Sequence, residues 1–137
     1  MSIEVSVDPS RIDVSLVHEF LSSSYWAKGR PRELVERSIE HSLCFGAYEN
    51  GRQIAFARVI TDRAVFAYLA DVFVVPDHHG RGVAGLLLEA ILGHPELEAI
   101  RVFRLSTRDA HGLYRKYGFT SMVNPEKSME LFIDALE

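Results

Sequence analysis

Val74-Val75-Pro76-Asp77-His78-His79-Gly80-Arg81-Gly82-Val83-Ala84-Gly85-Leu86-Leu87-Leu88 is the stretch that decides the fold. The apolar run that enters it stops at Pro76, which has no N–H to give a sheet ladder. A polar, glycine-rich turn follows, from Asp77 to Arg81. From Gly82 to Leu92 the chain is apolar almost all round, the pattern of a largely buried helix. A strand therefore delivers a turn to a helix N-terminus. The first N–H groups of a helix have no internal partner, and the helix dipole puts partial positive charge beside them. Phosphate oxygens can rest there. Glycine matters because a side chain would hold a pyrophosphate off the main chain.

The segment Gly80-Arg81-Gly82-Val83-Ala84-Gly85 also spells G-x-G-x-x-G, the dinucleotide fingerprint. Its context is wrong for that fold. There the strand runs almost directly into the first glycine, whereas Pro76-Asp77-His78-His79 intervene here. The fingerprint also needs an acidic residue about 20 positions on, where this chain reads Leu105-Ser106-Thr107. Only 52 residues follow Gly85, too few for the rest of a doubly wound domain.

Working outward, Val65 to Val75 is a long apolar run rich in β-branched and aromatic residues, the pattern of a central strand. Its one charged member is Asp71. Upstream, Leu43 to Tyr48 and Gln53 to Ile60 flank Asn50-Gly51, a strong hairpin signal. Thr61-Asp62-Arg63 makes the next turn. Ile3, Val5 and Val7 alternate as a short strand. Asp13 is placed to cap a helix from Val14 to about Leu21, with Leu16, Val17 and Phe20 on one face. Residues 22–30 form a loop, and Pro31 opens a second helix to about Ser42 that buries Leu34, Val35 and Ile39. Downstream, Ile100 to Leu105 reads as a strand. Ala110 to Tyr117 reads as a short helix, capped by Asp109 or Thr107 and stopped by Gly118. Strands around Phe119–Met122 and Ser128–Phe132 are expected to finish the sheet. The expectation is an α+β fold, a mixed, mostly antiparallel sheet with helices on both faces, as one domain over residues 1–137.

The segment 74–88 resembles motif A of the GCN5-related N-acetyltransferase (GNAT) superfamily, Arg/Gln-x-x-Gly-x-Gly/Ala after a strand ending Val-x-Pro. The pattern falls on His79 to Ala84, and His79 departs from the usual Arg or Gln. Residues 105–119, with Ala110-His111-Gly112-Leu113-Tyr114 and Gly118-Phe119, are similar to motif B of the same superfamily. Both motifs lie in order on matching elements, and the resemblance covers roughly Ala47 to Met122. It implies the GNAT fold and an acyl-CoA-dependent N-acetyltransferase with acetyl-CoA as cosubstrate and no metal. It places the pyrophosphate on the main chain of Gly80, Arg81, Gly82, Val83, Ala84 and Gly85, and pantetheine along Val72, Phe73 and Val74. Thr107 and Ala110 are further cofactor contacts, and Tyr114 takes the general-acid position. A phenol with a pKa near 10 stays protonated at pH 7 and can donate to a departing thiolate. Asp71, just before the pantetheine contacts, is the candidate base, because burial would raise its pKa. Tyr25 and Trp26, in the loop between the first two helices, are candidate walls of the acceptor site.

Other features narrow the class. The 47% hydrophobic and 25% charged composition suits a chain with a real core, and a net charge of −4 argues against nucleic acid. The single cysteine, Cys44, sits in an apolar run and reads as a buried, inert thiol, which argues against a thiol shuttle. One cysteine, no signal-peptide pattern and no membrane-length apolar run make the cytoplasm the expected compartment. His41, His78, His79, His94 and His111 show no metal-ligand spacing and read as solvated or capping. Arg30, Arg32, Arg37 and Arg115 read mostly as surface charge. The expected partner is a small-molecule amine, with edge strands near the C-terminus on which two copies could pair as a homodimer. A non-catalytic acyl-CoA-sensing module is the alternative. An interaction protein without cofactor would not need the glycine turn.

Overall fold

The computed structural model describes residues 2–133, so the ends of the domain expected over 1–137 lie outside the described residues. The order is β1 (Ile3–Ser6), α1 (Val14–Ser22), α2 (Arg32–Glu40), β2 (Leu43–Glu49), β3 (Arg52–Thr61), β4 (Phe66–Val74), α3 (Val83–Leu92), β5 (Val102–Arg104) and α4 (His111–Arg115). The chain divides into two compact units, Met1–Ser106 and Thr107–Glu137.

The first unit holds a five-stranded sheet in sequence order. β1 to β4 pair antiparallel, and β5 joins β4 in parallel. The β2–β3 hairpin turns on Asn50 (φ 53°) and Gly51 (φ 77°). Two positive φ angles in a two-residue loop make the twist-matched turn that Asn-Gly favours. β2 is buried from Leu43 through Tyr48, and β3 buries Gln53 through Ala57 and Val59. α3 turns Val83, Leu87, Leu88 and Ile91 inward; each such burial stabilises by about 1.5–3 kcal/mol. α1 is capped as its sequence predicts, Asp13 Oδ1 accepting from the Leu16 N–H at 3.0 Å. Phe20 on α1 stacks on Phe73 of β4 at 4.0 Å between centroids. The buried Gln53 accepts from the Asp13 N–H (2.7 Å) and donates to the Ala55 carbonyl (3.1 Å), so its amide is satisfied.

Two departures position the site. β3 and β4 pair Phe56 with Phe73 and Arg58 with Ala70, so Asp71 and Val72 together oppose Ala57. This is a β-bulge with Asp71 in the left-handed region (φ 55°). Aspartate tolerates that region better than branched residues do. Second, β4 pairs with β5 only over Phe66–Tyr68. The β5-side edge of β4 therefore opens before Val72.

In the second unit, α4 ends as Gly118 predicts. Gly118 (φ 96°) donates to the Arg115 carbonyl and Phe119 donates to the Tyr114 carbonyl, with the Phe119 ring edge-on to Tyr114 at 5.7 Å. Those two hydrogen bonds and the hydrophobic contact make a Schellman stop. It uses Phe119 as a clasp, so the strand expected at Phe119–Met122 does not form. The strand expected at Ser128–Phe132 is absent too. Pro125 opens a 3₁₀ turn to Lys127, and Met129, Leu131 and Phe132 are exposed with no ladder partner among the described residues. The edge strands on which pairing of two copies was expected are thus missing from the described residues. In α2, Val35 is buried but Leu34 is exposed, contrary to expectation.

Gly46 lies beneath Tyr48, whose hydroxyl donates to the Arg11 carbonyl (2.9 Å) while the Arg11 guanidinium covers its ring at 4.2 Å. A Cβ at Gly46 would come within 2.5 Å of that hydroxyl. Gly46→Ala should therefore destabilise the fold by about 1–3 kcal/mol in urea unfolding. An unchanged midpoint would mean that the Tyr48 clamp yields freely.

Candidate active site

The turn after β4 begins as a 3₁₀ turn, Pro76–His78, and reaches α3 through Gly80 and Gly82, both at φ 77°. A left-handed backbone costs an L-residue roughly 1–2 kcal/mol, which glycine avoids. A Cβ at either position would meet nothing within 4 Å, so the turn opens onto free space. Gly82 is the N-cap of α3 and supplies no side-chain cap. The first N–H groups of α3 have no intrahelical partners. These residues fit a pyrophosphate.

The turn is tied down by charge. The His78 ring is buried, with Nδ1 2.9 Å from Asp77 Oδ1 and Nε2 2.8 Å from Glu49 Oε1 on β2. Ionised carboxylates only accept, so both ring nitrogens donate and His78 is an imidazolium. Glu49, then Asp77, hold its pKa above the usual histidine value against the opposing effect of burial. Arg81 binds the other oxygen of Glu49 at 3.1 Å. The sequence reading of His78 as solvated or capping is corrected: it bolts the turn to the β2–β3 hairpin.

The open edge of β4 leads into this turn. The Val75 N–H bonds to Ile54 of β3, so strand alternation faces Val74 the other way. There the Val74 carbonyl accepts from His79 Nε2 at 2.8 Å. His79, at the position where the resemblance departs, docks on the edge itself. Val72 and Val74 are half-buried, whereas the Phe73 side chain is buried against Phe20 and Phe56. By the same alternation the Phe73 main chain faces β3, where Phe73 pairs with Phe56, so the open edge is offered by Val72 and Val74.

Asp71 sits at the base of that edge with its side chain 2% exposed. Oδ2 accepts from Arg58 Nε (2.8 Å) and Arg30 Nη1 (3.0 Å), and Oδ1 accepts from Trp26 Nε1 (2.9 Å). Burial is the largest single influence and would raise its pKa. Arg58, Arg30 and the indole N–H together outweigh it and hold the carboxyl below its ordinary value. The expected upward shift is overturned, because the expectation lacked the two arginines. Arg30 is not free surface charge either. Arg58 was the readable signal, the one charged residue in the apolar run Ile54–Ile60 of β3, beside the one charged residue of β4. Trp26 and Tyr25 are 40% and 49% exposed, edge to face at 5.1 Å. That exposure rules out Trp26 as a core plug.

In the second unit, Thr107 Oγ1 accepts from the Ala110 N–H at 3.1 Å, but Ala110 is itself the N-cap of α4 and no side chain caps the helix, so the cap expected from Asp109 or Thr107 does not form. Tyr114 is buried on α4. Cys44 is buried, and burial pushes its thiol up to about 12. The described residues hold no group of His, Cys, Asp and Glu suited to a metal ion. None of their helices is long and apolar enough to cross a membrane.

The sequence profile described as Acetyltransferase (GNAT) domain matches residues 40–121. A Gibberella zeae protein named as a candidate acetyltransferase is 32% identical, over 78% of this chain and 73% of its own. A Xanthomonas campestris crystal structure, described as a candidate acetyltransferase of the GNAT family, is 51% identical with a TM-score of 0.95, covering 99% of this chain and 96% of that one. A candidate acetyltransferase from Clostridium acetobutylicum, crystallised with acetyl-CoA, shares the fold at 18% identity and a TM-score of 0.69, over 96% and 95% of the two chains.

His78 holds its proton to higher pH when folded than when unfolded. Its bridge therefore stabilises in full below about pH 6.5, and that contribution is lost as pH rises through the folded-state value. Thermal melts should show His78→Gln well below wild type at pH 6, with the gap narrowing by pH 9. A gap independent of pH would contradict the imidazolium bridge.

Proposed function

Since the chain belongs to the GCN5-related N-acetyltransferase (GNAT) family, we propose that it transfers an acetyl group from acetyl-CoA directly to the amine of a small molecule. The observation that carries this reading is the open edge of β4 running into a left-handed glycine turn at the head of α3. Acetyl-CoA supplies an activated acetyl thioester.

The main chain from Gly80 to Gly85 holds the pyrophosphate by N–H donors and the helix dipole. The His78–Glu49–Arg81 tie holds those donors in place before the cosubstrate arrives. Val72 and Val74 offer main-chain groups to the pantetheine amides, with one lone pair of the Val74 carbonyl already taken by His79. Thr107 and Ala110 are further contacts.

In the transfer, the amine nitrogen forms a bond to the acetyl carbon and the carbon–sulfur bond breaks. Tyr114 gives its phenolic proton to the leaving sulfur and recovers one from solvent. The amine's surplus proton goes to water. Asp71 enters as an anchor and not as the base, because a carboxylate held low by two arginines has little affinity for a proton. A thiol held near 12 is a poor nucleophile at neutral pH, which supports direct transfer without an acyl-cysteine.

Thiol release from acetyl-CoA should depend on added amine, and Tyr114→Phe should slow it by about 10²–10⁴-fold while acetyl-CoA still binds. Amine-dependent turnover unaffected by Tyr114→Phe would remove Tyr114 from the chemistry. Binding without turnover for any amine would favour an acyl-CoA-sensing module.

A further inference from the structure

We propose that the acceptor is an amine carrying a carboxylate on a flat apolar body, with the carboxylate bound by Arg30 and the body laid against Trp26 and Tyr25. The proposal rests on the acetyltransferase reading above and specifies its second substrate.

The argument starts from charge. Arg30 and Arg58 share the single carboxylate of Asp71, which leaves one positive charge over. That surplus stands out in a chain whose net charge is −4. A partly buried surplus charge favours an anion as its neighbour. One surplus charge matches a carboxylate, whereas a phosphate dianion would overshoot it. The same surplus disfavours an ammonium close by and so favours the neutral, nucleophilic form of the amine.

The donors are available and held in place. Arg58 is 12% exposed and spends Nε on Asp71 and Nη1 on Ser42 Oγ (3.2 Å). Arg30 is 25% exposed and reaches Asp71 through Nη1 alone. Among the described residues, its Nε and Nη2 have no protein partner. A guanidinium fixed at one corner, with donors to spare, suits a carboxylate. Trp26 is fixed by its indole N–H on the same Asp71, while its ring stays 40% exposed with Tyr25 edge-on beside it. One buried carboxylate thus orients a cation and an aromatic wall together, one residue before the open edge of β4. Binding groups ordered in advance lose little freedom when a ligand arrives.

Three probe amines with a common ring test this: phenylalanine, phenethylamine, which lacks the carboxylate, and the aminophosphonate analogue of phenylalanine. Each is assayed by thiol release with acetyl-CoA and by thermal shift as the amine alone, on wild type, Arg30→Gln and Arg30→Lys. Wild type should prefer phenylalanine over phenethylamine by about 10- to 100-fold in kcat/KM, mostly through KM. Arg30→Gln should bring that ratio near one, and Arg30→Lys should restore part of it. The proposal is overturned if phenethylamine is used as well as phenylalanine, if the phosphonate is preferred, or if Arg30→Gln lowers all three equally. A thermal shift with acetyl-CoA but neither turnover nor a shift with phenylalanine also overturns it and leaves the cofactor reading standing. No shift with acetyl-CoA overturns the acetyltransferase reading itself.

Discussion

An ionised carboxylate in the middle of a sheet is the constraint on which the acceptor side depends. Removing Asp71 from water is costly, and it is stable there only because Arg58, Arg30 and Trp26 satisfy it from strand β3 and from the loop between α1 and α2. The bulge that opposes Asp71 and Val72 to Ala57 re-aims that carboxylate without breaking β4. A buried anion is thereby turned into a fixed point for two groups that reach the surface.

The cofactor side has a different logic. β5 stays with β4 for only three residue pairs, and the edge beyond them is free to bind a main chain or its mimic. At the far end, two left-handed glycines turn the chain into α3, and among the described residues a Cβ on either would meet nothing within 4 Å. Such a turn would be loose if held only by its own backbone. The buried imidazolium of His78, between Asp77 and Glu49, makes it part of the hairpin instead. One edge of β4 thus carries an anion receiver at its end and a cationic, aromatic patch at its base.

Much of this was readable from local pattern. Asn50-Gly51, the Asp13 cap, Pro76, Gly82 and Gly118 each act on the backbone within a few residues of themselves, and each sits where its chemistry requires. The two GNAT motifs were readable for the same reason, since a phosphate turn and a short helix stopped by glycine are local objects. What escaped was pairing between distant segments. Arg30 and Arg58 lie 41 and 13 positions from Asp71, and Glu49 lies 29 from His78. Apart from the charge of Arg58 inside an apolar run, nothing local marks such partners. That is why the pKa of Asp71 was expected to move the wrong way and His78 was read as solvated. The C-terminal strands failed for a related reason: Met129 and Leu131 alternate with polar neighbours inside Ser128–Phe132, but a strand also needs a neighbour, and none pairs with it among the described residues.

The central claim, that the glycine turn and the open edge hold acetyl-CoA, is tested most directly by thermal unfolding of the wild-type chain across an acetyl-CoA titration. A ligand at 100 times its dissociation constant should add about 2.7 kcal/mol, a rise of several degrees for a domain this size. The account predicts that saturable rise, with free CoA producing a similar one. A melting temperature unmoved at millimolar acetyl-CoA would contradict it.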